Sequence, residues 1–259
     1  MIRLKTNEEI EILRENAILV SKTLAEVGKA IAPGVVTSSL DKIAETFIRD
    51  NGAVPGFLGY GGFPYTLCIS VNDYVVHGFP GNYVLKEGDI VSVDCGTIYK
   101  GFYGDSAYTF PVGEIDVESA KLLKVTKESL YLGVQKAVAG NRIGDIGAAV
   151  QQYAEQAGFS VVREMVGHGI GKNMHESPEV PNYGKQGKGK KLSEGMVICI
   201  EPMITMGKRN ITMDRDGWTI RTRDGLPAAH FEHQVALTAN GTELLSTYEY
   251  IEESLNSNK

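Results

Sequence analysis

Apolar residues recur at helical spacing from the start of the chain. Ile10, Leu13, Ala17, Val20, Leu24 and Val27 follow one another at three- and four-residue steps until Pro33-Gly34 breaks the pattern. Thr6 with Glu9 ahead of them is a capping-box signature. A second helix is predicted from Ser38, with Asp41 three residues on, turning Leu40, Ile43, Ala44 and Phe47 inward before Asn51-Gly52. A glycine-rich aromatic loop, 57–65, leads to strand-like Leu67–Val71, an Asn72-Asp73 turn and Tyr74–Val76, which ends in His77-Gly78-Phe79-Pro80.

The next stretch, Ile90 to Asp105, is a β-branched run that ends on a carboxylate, Asp94, and returns to another, Asp105. Tyr99-Lys100 before Gly101 predicts a hairpin turn; centred there, it sets Asp94 directly opposite Asp105, with Cβ atoms roughly 5 Å apart. A bulge at Gly101 would slip that register by one residue. Two like charges so placed are destabilising unless a cation sits between them. The bland alternative is a solvated turn carrying two incidental acids.

The second half opens as the first does. Helical patterns cover Val117–Val138 and Asp145–Ala157, followed by strand-like Ser160–Met165, Gly167-His168-Gly169-Ile170-Gly171, a polar loop at 184–191 and strand-like Met196–Ile200. A turn-rich segment from Gly207 to Gly225 precedes strand-like Phe231–Leu237, and the last ten or so residues, with Asn256-Ser257-Asn258, are expected to fray. The likeness is countable. Leu85–Asp94 matches Leu192–Glu201, and Lys29–Ala32 matches Lys136–Ala139, at one offset of 107 residues. This reads as an internal duplication within a single domain, residues 1–259, with α+β halves of about 1–112 and 113–250. A pseudo-twofold axis would relate them, their strands pooled into one curved antiparallel sheet with helices outside.

The duplication puts Asp94 and Glu201 at equivalent strand ends. Asp105 follows Asp94 by 11 residues, whereas Glu232, the best candidate for the fourth acid, follows Glu201 by 31, leaving 20 extra residues expected to project as an arm. Trp218, the only tryptophan, lies on that arm and is expected to close over the site mouth. Four acids converging from two hairpins require compensating charge, and two divalent cations roughly 3.5–4 Å apart would supply it. Of the five histidines, His77, His168 and His175 sit in glycine- or proline-flanked turns beside strand ends. His230 and His233 flank Glu232, and alternation turns His233 to the opposite face.

Composition narrows the classes further. A chain of 259 residues, 42% hydrophobic and 22% charged, describes a soluble globular protein. A net charge of −6 disfavours nucleic-acid binding by general electrostatics. No signal peptide or run of about 18 apolar residues is present, so no membrane span is expected. Three cysteines without CxxC spacing suggest reduced thiols and the cytoplasm, and they exclude a cysteine-type structural zinc site.

The order Asp94, Asp105, His168, Glu201, Glu232 resembles the metal-ligand set of the methionine aminopeptidases, which adopt the pita-bread (creatinase/aminopeptidase) fold. Val93-Asp94-Cys95-Gly96, Gly104-Asp105-Ser106-Ala107, Gly167-His168-Gly169-Ile170-Gly171, Ile200-Glu201-Pro202 and Phe231-Glu232-His233 carry the resemblance, which runs from the first helix to about Leu244 and is similar to the short bacterial type I form. It implies two divalent metal ions. One is held by Asp105, His168, Glu201 and Glu232, the other by Asp94, Asp105 and Glu232. The mostly oxygen donor set suits Mn, Fe or Co, with Zn or Ni as further candidates. It implies removal of the initiator methionine from peptides and nascent chains, preferentially when the second residue is small. A hydroxide bridging the metals would attack the scissile carbonyl, with Glu201 as proton shuttle. His175 would donate to the carbonyl oxygen and His77 would contact the peptide nitrogen beyond the cleaved bond. Tyr60, Phe63, Cys68 and Trp218 match positions lining the methionine pocket, with Phe57 and Met174 nearby; Phe57 and Phe63 stand where smaller or polar residues are common. The protein is expected to be a monomer and to meet ribosomes only through its nascent substrate or by docking there.

Three other classes stay open on the sequence. A prolidase-like Xaa-Pro peptidase would share the ligands but normally carries a preceding domain. A metal-dependent phosphatase would want phosphate cradles, and none is evident beyond Lys172. A non-enzymatic binding relative should have lost ligands, and all five are present.

Overall fold

Residues 2–257 are described by a computed structural model. Helix α1 (Asn7–Ala30) begins at the expected cap: Thr6 Oγ1 accepts from the Glu9 amide at 3.3 Å, and the Glu9 carboxylate accepts from the Thr6 amide at 3.2 Å. The six apolar residues of its stripe are all buried. Helix α2 (Thr37–Asp50) starts one residue ahead of Ser38 and has no side-chain cap. Loop carbonyls serve its first amides instead, Thr37 N–H donating to Tyr83 and Ser38 N–H to Gly81. Asp41 is thereby free to accept from the amides of Thr66 and Leu67, at 3.0 and 2.8 Å, and so fixes the next strand to the helix. Leu40 and Ala44 are buried, while Ile43 and Phe47 are partly buried against the same core.

After β1 (Val54–Pro55) the aromatic loop makes one 3-10 turn at Tyr60–Gly62. β2 (Leu67–Val71) and β3 (Tyr74–Val76) form where alternation places them. β4 (Ile90–Tyr99) and β5 (Phe102–Pro111) form the long hairpin, but its turn is Lys100-Gly101 rather than Tyr99-Lys100. Both turn residues have positive φ, 48° and 78°. That is the two-residue type I′ connection, whose twist matches that of the strands. Asp94 therefore pairs with Ala107, and Asp105 with Gly96. The two acids stay on one face as diagonal neighbours, roughly 7–8 Å apart, and are not directly opposite.

α3 (Val117–Lys136) is capped by Asp116, which accepts from the Ser119 amide at 2.9 Å. α4 (Ile143–Gln156) starts before Asp145, whose carboxylate reaches back to the Arg142 amide at 2.7 Å. β6 is only Ser160–Val161; Met165, expected in that strand, lines a cleft instead. There follow β7 (Gly167–Gly169), β8 (Glu176–Val180), β9 (Val197–Ile200) and β10 (Met203–Thr205). β11 (Ile211–Met213), β12 (Ile220–Thr222), β13 (Ala228–His230), β14 (His233–Thr238) and β15 (Gly241–Leu244) complete the strands. α5 (Glu249–Ser257) occupies the tail that was expected to fray; Asn258 lies outside the described residues.

Among the described residues the strands form four hydrogen-bonded sheets. β1, β2 and β5 gather on β4, and β15-β14-β9-β7-β8 runs as a second sheet; β13-β10-β6 and β11-β12-β3 are smaller. The two large sheets meet where the Glu232 amide donates to Ala107 O at 3.0 Å and Ser106 Oγ donates to Glu232 O at 2.7 Å. The result is the pita-bread arrangement, a curved antiparallel surface with α1 to α4 outside it. One apolar cluster runs through both halves, from Leu24, Leu40 and Phe110 to Leu130, Ile146 and Val235. The 20 extra residues do not project freely. They fold as the β11–β12 hairpin, which pairs with β3 of the first half, and Arg221 bonds Asp73 at 2.8 and 3.0 Å. The β3 edge would otherwise be unpaired.

Asn16, fully buried in α1, ties the helix to the hairpin. Its amide donates to the carbonyls of Thr97 and Phe102, and its oxygen accepts from Thr97 Oγ1. Asn16→Ala orphans these groups and is expected to cost about 1–3 kcal/mol. Thermal melting should show this as a fall of several degrees, with bound metal unchanged.

Candidate metal centre and cleft

The strand ends bring Asp94, Asp105, His168, Glu201 and Glu232 to the lining of one cavity of about 280 Å³. β4 and β5 supply the two aspartates, β7 supplies His168, the residue after β9 is Glu201, and Glu232 lies between β13 and β14. Glycines let β7 lie this close to its neighbours. A Cβ at Gly167 would come within 2.3 Å of Cys199 O, and one at Gly169 within 2.4 Å of Ser177 O. His168 is oriented by its own strand, since Nδ1 lies 3.0 Å from Gly169 O. A proton on Nδ1 leaves the Nε2 lone pair facing the acids.

Burial is the first cause that pushes these carboxyls up, to about 6 for Asp94 and well above the ordinary range for Asp105, Glu201 and Glu232. Their mutual repulsion adds to it at Asp105, Glu201 and Glu232. Burial also holds His168 and His77 down at about 4. Asp94 Oδ1, Asp105 Oδ1, Glu232 Oε1 and His230 Nε2 are buried without a hydrogen-bond partner. Orphaned acceptors of this kind are rare in native interiors and call for an ion. Ligand atoms of Asp105, His168, Cys199 and Glu232 lie within 4.8 Å of one another. His168 Nε2 stands 3.7 Å from Asp105 Oδ2 and 3.6 Å from Glu201 Oε1. The donor set fits divalent metal.

The cavity walls are aromatic. Phe57, Tyr60, Phe63, Cys68 and Trp218 line it together with Met165 and Met203. Cys68 is the cross-strand partner of Asp94, which turns both side chains inward. Trp218 sits at the tip of the β11–β12 hairpin, where Asp216 accepts from the amides of Trp218 and Thr219. Its ring meets Phe63 edge-on at 5.1 Å and His77 at 6.3 Å between centroids. Met174 is not in the wall; it is buried behind Phe57, against Gly96. At the mouth, Tyr60 Oη lies 2.8 Å from His175 Nδ1, and the rings of His168 and His175 are 4.4 Å apart. His77 has φ of 58°, a conformation few non-glycine residues adopt.

Two neighbours of the acids were not singled out from the sequence. His230 lies two residues before Glu232, and its Nε2 is 3.6 Å from Glu201 Oε2. Cys199 lies two residues before Glu201 and joins the cluster described above. The two-residue alternation that gave His233 its outward face was the available signal for both. His233 does face away, with Nδ1 at 2.8 Å from Ser246 Oγ and Nε2 at 3.3 Å from Tyr131 Oη.

A carboxyl whose folded pKa is raised contributes stability below its unfolded pKa, near 3.8, that is lost as pH rises through about 6. In chelated protein, Asp94→Asn should therefore melt above the parent at pH 7, and the gap should close by about pH 4. With metal restored the order should reverse. Melting curves of both proteins across that range check it.

Residues 11–239 match the model of metallopeptidase family M24. The chain is 52% identical to methionine aminopeptidase of Clostridium acetobutylicum over 250 residues, covering 96% of this chain and 100% of that one. It is 50% identical to methionine aminopeptidase 1 of Bacillus subtilis, covering 95% and 99%. The crystal structure of methionine aminopeptidase from Rickettsia prowazekii superposes with a TM-score of 0.94 at 38% identity, covering 95% of this chain and 100% of that one. The prolidase of Pyrococcus furiosus shares the fold with a TM-score of 0.78 at 24% identity, and the match covers 66% of that chain. On these grounds the chain belongs to metallopeptidase family M24, among its methionine aminopeptidases of the bacterial type I form.

Proposed function

We propose that the protein removes N-terminal methionine from peptides and proteins, preferentially when the second residue is small, using two divalent metal ions held by Asp94, Asp105, His168, Glu201 and Glu232. The observation that carries this reading is that the acid cluster and a set of aromatic and sulfur side chains line one and the same cavity. Thioether sulfur is favoured at aromatic edges by about 0.3–1.5 kcal/mol per contact, and Phe57, Phe63 and Trp218 offer those edges beside Cys68. Mn, Fe and Co suit the oxygen-rich donors best, ahead of Zn and Ni. When bound, the cations supply Lewis acidity and lower the pKa of water.

The remaining work falls to the chain's own side chains. Glu201 takes a proton from the attacking water and returns it to the leaving amine, a role suited to a carboxyl whose pKa burial has raised. Tyr60 O–H donating to His175 Nδ1 would leave Nε2–H to meet the scissile carbonyl oxygen as charge develops there. His77, neutral near pH 7, faces the peptide nitrogen beyond the cleaved bond. Tyr60, Phe63, Cys68 and Trp218 wall the methionine side chain.

The two halves, about 1–112 and 113–250, are read as a duplication, supported by the repeated order of two helices followed by acid-bearing strands. We read the protein as a cytoplasmic monomer whose substrates include nascent chains at the ribosome. No helix among the described residues is long and apolar enough to cross a membrane. An Xaa-Pro peptidase reading rests on fold likeness alone.

Hydrolysis of Met-Ala but not of Xaa-Pro dipeptides, abolished by chelator and restored by Mn or Co, is the expected outcome; the opposite preference would overturn the assignment. His175→Ala should lower kcat by about 10²–10³ with metal retained. Trp218→Ala should lower kcat/KM for Met-starting peptides by about 1–3 kcal/mol. A large fall in Tm with unaltered methionine preference would make the tryptophan an anchor of the hairpin instead.

A further inference from the structure

The five-residue ligand set leaves a second imidazole at the acid cluster without a role. His230 ends β13, is 1% exposed, and its Nε2 has no hydrogen-bond partner. That nitrogen is 3.6 Å from Glu201 Oε2, while His168 Nε2 is 3.6 Å from Oε1 of the same carboxylate. Neither spacing is a hydrogen bond, which would fall near 2.7–3.2 Å. Both are the separation of two donors on one cation. With metal–donor bonds of about 2.1 Å and angles between tetrahedral and trigonal, the donors stand roughly 3.4–3.6 Å apart. Glu201 is thus bracketed, one oxygen toward each imidazole. The contrast with His233 is direct, since both of that ring's nitrogens have partners.

We propose that His230 is a metal ligand, supplying a nitrogen donor beside Asp94 as His168 does beside Asp105, so that each of the two ions carries one imidazole. This rests on the two-metal reading above and extends its ligand set in two ways: His230 joins the ion beside Asp94, and Glu201, with one oxygen toward each imidazole, joins both ions. A second imidazole makes the centre less hard, raising affinity for Co, Ni and Zn relative to Mn. The backbone of His230 is held independently of its ring. Its amide donates to Thr109 Oγ1 at 3.0 Å and its carbonyl accepts from the same hydroxyl at 2.7 Å. Replacing the ring therefore leaves the strand in place.

The full chain loaded with Co(II) tests this by proton NMR in water, because each coordinated imidazole gives a hyperfine-shifted, exchangeable N–H signal. Two such signals are expected at full loading, one of them lost in His230→Gln and the other in His168→Gln. Calorimetric titration of His230→Gln with Co(II) should show one binding event weakened by more than about tenfold, while the other is kept and reports that the variant is folded. A single shifted N–H in the unaltered protein at full loading, or unchanged spectra and affinities in His230→Gln, would overturn the inference and leave the two-metal reading standing. No shifted signal and no Co(II) binding in the unaltered protein would overturn that reading, and this inference with it.

Discussion

Four carboxyl groups share one buried pocket, and their repulsion is the constraint the rest of the molecule has to meet. Burial raises every one of them, so without a cation they are held together only against their preference for protons or water. The backbone makes this possible. Ser106, Ala107 and Thr109 of β5 bond the segment that carries His230 and Glu232, and Tyr248 Oη bridges Ala107 and Glu232 from the approach to α5. Acids set on strands tied in this way cannot drift apart to relieve the charge. A cation relieves it instead.

The pocket beyond the acids depends on contacts between distant parts of the chain. Pairing of β12 with β3 delivers Trp218 to the wall beside Phe63, although the two lie far apart in sequence. At the mouth, the buried Lys5 ammonium bonds the Glu176 carboxylate at 2.8 Å, which anchors the segment next to His175 to the start of the chain. Tyr60 holds the His175 ring itself. Rigid anchoring suits a donor that must meet an oxygen at a fixed place.

Much of this was legible in the residues. The capping box and stripe of α1, the strands β2 and β3 with the turn between them, and the convergence of Asp94, Asp105, Glu201 and Glu232 follow from local spacing and one repeated offset. The β4–β5 turn was misread because Tyr99-Lys100 and Lys100-Gly101 differ only in whether lysine accepts a positive φ, and local pattern does not show that it does. The cap of α2 comes from carbonyls at Gly81 and Tyr83, beyond the reach of any local signature. The second-half insertion looked like a free arm because a lone β3 edge seeking a partner is a tertiary fact. His230 and Cys199 were readable by alternation but masked by the more familiar acids beside them.

The central claim is that the acid cluster is a metal-holding site on which peptide cleavage depends. Metal analysis of Asp105→Asn and Glu232→Gln, with Met-Ala turnover measured on the same preparations, tests it most directly. Both variants should remain folded, carry less bound metal and lose metal-dependent activity. Full metal content with full turnover in either variant would contradict the account.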